Sequence, residues 1–460
     1  MARLGGFSNQ RYALDKVAAM CGGLVVRSSC TFVEDVQIDS RACSPHSLFF
    51  ALAGSKEHGI TYVGDAARKG CSAVVVPFSE KNHALALVEG TQCSLILVSD
   101  PLSALQCLAR EYRKVMSQVT TVGITGSCGK STTKEALARI AQNLGKTVKT
   151  PGNLNSEIGL SLSILQMESD TQYGIFEMGI DHVGEMDRMV DMLKPDIGLL
   201  TNIGISHIEK FSNHSTILAE KGKLFHPGMQ MGFVSDDCPY TSILEKRSHL
   251  SLKQYGLKDI RAVDRGIDGW DLTFEGELFH VACVGRHLLR DVMGAIQVSL
   301  ALGATRNAIA EGLEGFAPMQ GRSFVHKSGV TIIDDSYNAS PDSTSSILGY
   351  LTALAWKGEK RVVLGPMKEL GRESSQAHAQ VARQLYSSPM GSAYLYGQEM
   401  KGAYDLLKKS GYANTLFYTD DFGELEDHVV KSSRQGDLVL LKASRSVAME
   451  RLIPALSQVG

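Results

Sequence analysis

The chain lacks most of the features that would place it in a special environment. Its 47 basic and 49 acidic residues nearly cancel, to a net charge of −2, so no positive excess points to nucleic acid or an anionic membrane. It has no apolar run of about 18 residues, the length of a membrane span. Residues 1–23 have no apolar centre of a signal peptide, and a cytoplasmic location is expected. The nine cysteines are scattered and odd in number, and no Cys-x-x-Cys pair occurs. Neither a zinc knuckle nor a disulfide framework is indicated. Low-complexity tracts and internal repeats are also missing. What is present is 43% apolar and 21% charged residues over 460 positions, the composition of a soluble globular protein of about three domains. A monomer is expected.

The most informative stretch is residues 120–138, TTVGITGSCGKSTTKEALA. The run 122–125 predicts a strand, Gly126-Ser127-Cys128-Gly129 a tight turn, and Lys130-Ser131-Thr132-Thr133 the start of a helix reaching about residue 144. A strand, a glycine turn and a helix start make a phosphate site. Glycines let backbone N–H groups approach the phosphates, and the helix terminus adds partial positive charge. Lys130 would reach the β/γ-phosphates, and the Ser131 hydroxyl would ligate Mg²⁺. The spacing is unusual. The common P-loop has four residues between its glycines, whereas five lie between Gly123 and Gly129 and two between Gly126 and Gly129. The plainer reading is a glycine turn capping an amphipathic helix with a solvated lysine. Cys128 reads as a small spacer.

Elsewhere the pattern alternates strands and helices. Residues 1–100 predict helices at 12–21 and 62–69 and strands at 36–40, 48–52 and 73–77. Arg41 there is most simply a surface ion-pair partner. A connecting helix is predicted at 101–116, with Pro101 in its first turn. The strand 173–178 carries Glu177 at its carboxyl end, where open α/β sheets bind ligands, so Glu177 is a metal-ligand candidate. The strand 196–201 is followed by His207, a second candidate. The helix 215–225 carries Lys221 and Lys223, which by spacing alone read as a solvated face. Residues 236–279 read as β-rich, 286–302 and 307–313 as helices, and 315–321 as a hinge. From 330 onward five strands (330–333, 361–365, 393–396, 415–418, 438–442) alternate with helices at 341–356, 374–386, 401–410 and 422–433, the pattern of a mostly parallel wound sheet. The domain boundaries expected are 1–100, 101–318 and 319–460. A phosphate module hinged to one without a phosphate loop suggests a cleft closing over two substrates.

These residues resemble the Mur ligase family over nearly the whole chain. TGSCGKST is similar to its ATP loop, which is shorter than the common P-loop, and this accounts for the spacing. KTPGNLNSEIGLSLSIL, FEMGIDHVGEM, TNIGISHIEKF and AEKGKLF follow in the family's order, then Gly321-Arg322, IDDSYNASPDS, LGPMKELG and LKASRS. The IDDSYNASPDS block and the KELG turn resemble the branch that adds D-alanyl-D-alanine, and the Asp-Asn-Pro-Arg motif of the branch adding the third residue is absent. The segment DSR…LFFALAGSKEHGITYV resembles the UDP-sugar-binding domain. The resemblance implies an α/β fold of three domains: a small UDP-sugar-binding domain, a central P-loop ATPase-like mostly parallel sheet, and a C-terminal Rossmann-like domain. It implies ATP-dependent amide ligation in peptidoglycan synthesis, with UDP-N-acetylmuramoyl-tripeptide and D-alanyl-D-alanine as substrates.

By motif match, Gly126, Ser127, Cys128, Gly129, Lys130, Ser131 and Thr132 would bind ATP, with Ser131 and Glu177 serving one Mg²⁺ and His207 a second. Lys221 matches the family's carbamylated lysine, a modification by CO₂ that turns a cation into an anionic oxygen ligand. Arg322 would meet ATP phosphates and Asp335 the ribose. Ser40 and Arg41 match positions near the uridine nucleotide, and Tyr337, Asn338, Ser444 and Arg445 are candidates for the dipeptide side. Three departures stand out. The family's Gly-x-His-Asn-x-x-Asn is Gly285-Arg286-His287-Leu288-Leu289-Arg290-Asp291, so an aspartate stands where an asparagine usually contacts adenine. Pro366 replaces an aspartate in the KELG block, and Ala443 a glycine. Three alternatives stand beside this reading: a sister ligase adding another amino acid, a folate polyglutamylating ligase, and a nucleotide-dependent switch that ligates nothing.

Overall fold

The computed structural model describes residue 7 and residues 10–54, 57–205 and 208–459. Three wound α/β sheets follow one another along the chain. The first has five strands in the order Leu24–Arg27, Ser94–Val98, Ala73–Pro77, Ser47–Phe50, Asp35–Gln37, all parallel except the first. The second has six parallel strands: Leu252–Tyr255, Met231–Ser235, Ile197–Leu200, Thr120–Thr125, Tyr173–Glu177 and Thr147–Lys149. The third also has six: Phe324–Lys327, antiparallel at the edge, then Thr331–Asp335, Leu438–Lys442, Lys360–Leu364, Ser392–Tyr396 and Thr415–Thr419 in parallel. The α/β class and three-part architecture are therefore as the sequence indicates.

The topology of the second sheet decides where the site lies. The strand Thr120–Thr125 is central. The chain builds outward from it on one side with Tyr173–Glu177 and on the other with Ile197–Leu200. Such a switch point opens a crevice at the carboxyl ends of the strands. Strands buried on both faces read as continuous apolar runs. Leu438–Lys442 is such a strand, buried throughout, including its lysine. Helix starts follow local chemistry. Asp100 caps Pro101–Val115 by accepting from the Ser103 N–H at 2.8 Å, and Ser340 and Ser343 form a capping box ahead of Pro341–Ala353.

Several elements differ from the sequence reading. Tyr12–Ala13 is a strand paired with Phe32–Val33, and the helix begins only at Leu14. Tyr12 turns inward onto Phe7, with ring centroids 4.4 Å apart. The stretch 236–279 holds a helix, Thr241–Ser248, before the antiparallel sheet Arg261–Asp264, Trp270–Phe274, Glu277–Val281. The buried helix Glu157–Ile164 is apolar or small nearly all round and so carries no periodic stripe. Phe316, in the hinge segment, is 1% exposed and packs in the central core. Val284 and the part-buried Ile205 and Ile267 join the core cluster of the third sheet, so the central and C-terminal parts share an apolar contact.

Candidate active site

The phosphate turn is held from the neighbouring strand end. A Cβ on Gly126 would fall 1.9 Å from Thr201 Oγ1, so only glycine permits this approach. The Cys128 N–H donates to Asn202 Oδ1 at 3.0 Å, and the Cys128 carbonyl accepts from Thr201 Oγ1 at 2.5 Å and Asn202 Nδ2 at 3.1 Å. Gly129 has φ +81°, a conformation costly for other residues, and precedes the helix Lys130–Gln142. Residues 126–129 are thus a rigid turn in front of a helix N-terminus.

At the head of that helix lies an oxygen-rich pair. Ser131 Oγ donates to Glu177 Oε2 at 2.7 Å, and Asn155 Nδ2 donates to Glu177 Oε1 at 2.7 Å. Glu177 is 1% exposed, so its carboxylate is buried between these two donors rather than turned to solvent. Lys134, fully buried on the same helix, donates to the carbonyls of Thr150 at 2.9 Å and Gly152 at 2.7 Å. It thereby ties the 150–155 segment to the phosphate helix. Hydroxyl and carboxylate are hard donors of the kind Mg²⁺ takes, so the residues fit that ion.

Lys221 corrects the solvated-face reading. It is 2% exposed and donates to the Gly126 carbonyl at 3.0 Å, the same oxygen that Lys130 Nζ reaches at 2.8 Å. Burial, with the nearby Lys130 charge, pulls the Lys221 ammonium down to about 7. A neutral amine is therefore well populated near neutral pH. Lys223 does face outward, paired with Asp187 at 2.6 Å. His207 lies outside the described residues. Among the described residues no group of three or more His, Cys, Asp or Glu forms a metal cluster.

The third sheet forms the opposite wall. Ser340 Oγ lies 3.4 Å from Cys128 Sγ, and a Cβ on Gly204 would come within 2.2 Å of Asp342 Oδ2, so the start of the helix Pro341–Ala353 faces the phosphate turn. The Arg322 guanidinium stacks 3.8 Å from the centroid of Tyr337, and Arg445 lies 5.9 Å from the same ring. Buried Asp334 organises this patch by accepting from Gly321 N–H at 2.9 Å and Ser336 Oγ at 2.5 Å. Asp335 is ion-paired at 2.6 Å with Lys442, which also donates to the Asn338 carbonyl at 3.0 Å. Ser444 is buried and accepts from the Lys368 N–H at 2.8 Å, so its hydroxyl joins two loops. Across the crevice Lys210 sits 3.0 Å from Asp181 and 3.7 Å from Glu369 of the KELG turn.

The first sheet contributes a different kind of surface. Ser40 is buried and donates to Asp65 Oδ2 at 2.9 Å, whereas the Arg41 side chain is 77% exposed and paired with Asp39 at 2.7 Å. A cavity of about 650 Å³ beside Pro195, Asp196 and His226 lies at the amino end of the central sheet, away from all these residues. Sequence reasoning did not single out Lys134, Asn155, Asn202 or Asp334. All but Lys134, which lies just past the phosphate turn, fall inside motif blocks, which was the available signal.

Models of the Mur ligase family match three stretches in order: the catalytic domain at 33–113, the middle domain at 124–298 and the glutamate ligase domain at 321–445. The chain belongs to the Mur ligase family. The UDP-N-acetylmuramoyl-tripeptide–D-alanyl-D-alanine ligase of Treponema pallidum is 34% identical over 434 residues, covering 92% of this chain and 94% of that protein. The ligase of the same name from Bacillus subtilis is 30% identical, covering 93% of each. Among solved Mur ligase structures, MurF from Acinetobacter baumannii superposes with a TM-score of 0.85 at 25% identity, covering 98% and 99% of the two chains. MurF from Thermotoga maritima in complex with ADP gives 0.75 at 25% identity, covering 92% and 97%.

Proposed function

We propose that the protein is an ATP-dependent amide ligase joining D-alanyl-D-alanine to UDP-N-acetylmuramoyl-tripeptide in peptidoglycan precursor synthesis. The observation that carries this reading is the convergence of Lys130 and Lys221 on the Gly126 carbonyl beside the Ser131–Glu177 pair. It is supported by Mur ligase relatives of that name along nine-tenths of the chain.

The chemistry follows from charge. A carboxylate is a poor acyl donor at neutral pH. A carboxylate oxygen of the tripeptide attacks the γ-phosphorus of ATP, ADP departs, and an acyl phosphate forms. The dipeptide amine then attacks the acyl carbon and loses a proton, and the tetrahedral adduct expels phosphate. The protein's work is positioning and charge neutralisation. Lys130 and the N–H groups of 126–132 hold the triphosphate. Ser131 and Glu177 would hold one Mg²⁺ and His207 a second, and these ions would supply further neutralisation of the phosphate oxygens. Lys221 serves as a carbamate: its neutral amine attacks CO₂, loses a proton and becomes an anionic oxygen donor. Asn155 keeps Glu177 oriented toward that site.

Arg322, Asp335 and Asp291 complete the nucleotide side. Ser40 and Arg41 receive the UDP end of the tripeptide substrate, and Tyr337, Asn338, Ser444 and Arg445 line the dipeptide side, with Ser444 acting through the loop it fixes. The domains divide at 1–100, 101–318 and 319–460. We place the enzyme in the cytoplasm as a monomer; no described helix is long and apolar enough to cross a membrane.

The test is amide formation by purified protein with ATP, UDP-muramoyl-tripeptide and a panel of amines. Product with D-alanyl-D-alanine and not with lysine, meso-diaminopimelate or D-glutamate is the expected result. Product with one of the others instead identifies a sister ligase. Phosphate release that needs neither substrate contradicts ligation.

A further inference from the structure

Asp291 places a negative group where a nucleotide brings more negative charge. It stands on the helix Arg286–Ala301, is 8% exposed, and lies directly on the phosphate turn. A Cβ on Gly129 would fall 2.2 Å from Asp291 Oδ1 and 2.7 Å from Oδ2. The basic groups facing it are engaged elsewhere. Arg290, on its own helix, pairs with Asp237 and lies 3.8 Å from Asp236, while Lys130 on the phosphate helix donates to the Gly126 carbonyl at 2.8 Å. The other titratable neighbours are the buried Cys283 thiol and the Tyr255 phenol on Leu252–Tyr255, whose hydroxyl has no hydrogen-bond partner. Among the described residues no donor is bonded to the Asp291 carboxyl. Burial alone pushes it up to about 7, against smaller opposing effects of Arg290 and Lys130.

We propose that Asp291 takes up a proton when nucleotide fills the phosphate turn, so that the neutral carboxylic acid is the form that supports bound ATP or ADP. This rests on the nucleotide-site reading above. The step is a simple protonation: a solvent proton adds to one carboxylate oxygen and no other bond changes. The acid then offers one O–H donor and one carbonyl acceptor, the same pair that an asparagine amide offers. The ionised form offers no donor and repels phosphate oxygens across Gly129. The sign is definite. Below the free carboxyl's pKa the proton is already present and binding takes up none. Above it, binding must draw a proton from solution, and affinity falls by up to about tenfold per pH unit until the bound form itself ionises.

The experiment is calorimetric titration of the full chain with MgADP at about pH 6.5 and about pH 8, in buffers of different ionisation heat. Wild type, Asp291→Asn and Asp291→Leu are compared, which subtracts the titration of ADP and of Lys221. Wild type is expected to take up a proton at the higher pH that both variants do not, and to lose about three- to tenfold more affinity than Asp291→Asn across the interval. Equal proton uptake and parallel pH slopes in wild type and Asp291→Asn overturn the inference. So does loss of MgADP binding by Asp291→Asn at both pH values, because its amide presents the pair of the neutral acid. Failure of wild type itself to bind MgADP defeats the nucleotide-site reading, a result distinct from the other two.

Discussion

The phosphate turn and the turn at 39–41 both follow the carboxyl end of a strand and carry a basic residue close by, yet they are built in opposite ways. Around Gly126 and Cys128, contacts come from Thr201, Asn202, Lys130 and Lys221, so the loop is fixed before any ligand arrives. Among the described residues Arg41 is tied only to its neighbour Asp39, and its side chain is 77% exposed. An ion pair of that kind contributes little and is readily exchanged for a ligand phosphate. On the proposed function, the contrast is between a preformed reaction centre and a substrate anchor that would be organised on binding.

Breaking the preformed side should cost most. Lys130→Ala is expected to lower acyl-phosphate formation by about a thousandfold, read in a single-turnover assay with the tripeptide alone. Unchanged formation would dissolve the contrast. Lys221→Ala should lose about a hundredfold or more and regain part of it when a short carboxylate is added to the buffer, a rescue that a merely structural lysine would not show. The same lysine gives a pH prediction. Its amine is neutral above about 7 and protonated below, so CO₂ incorporation should fall as pH drops through that value. Asn155→Ala, which frees one Glu177 oxygen, should weaken Mg²⁺ dependence by about ten- to a hundredfold, measured as the activating concentration. Arg41→Ala is the smallest: the KM for the UDP-substrate should rise by under about tenfold with kcat and melting temperature unchanged. A large fall in kcat there would show that the exposed turn is part of the centre after all.

How far the sequence carried depended on whether the chemistry was local. The phosphate turn was legible because strand, glycines, lysine and serine must be adjacent to make it. The third sheet was legible because its strands and helices alternate cleanly; Ser374–Tyr386 and Leu438–Lys442 fall where their patterns end. Lys221 was not legible from periodicity, since its burial arises only when its helix crosses the turn at Gly126. Only the family resemblance marked it. Asn155, Asn202 and Lys134 were silent for the same reason, because each acts on a segment distant in sequence. The helix Glu157–Ile164 had no stripe to read, and the short helix Thr241–Ser248 was hidden by the polar stretch around it.

The central claim is that the tripeptide's acid group is activated by direct phosphoryl transfer at this turn. It is tested most directly with UDP-muramoyl-tripeptide carrying ¹⁸O in its terminal carboxyl. With both carboxyl oxygens labelled, the account predicts that turnover with ATP and D-alanyl-D-alanine leaves one ¹⁸O atom in each released phosphate, carried there through the acyl phosphate, and the other in the amide. Phosphate free of label, alongside amide product, would contradict it.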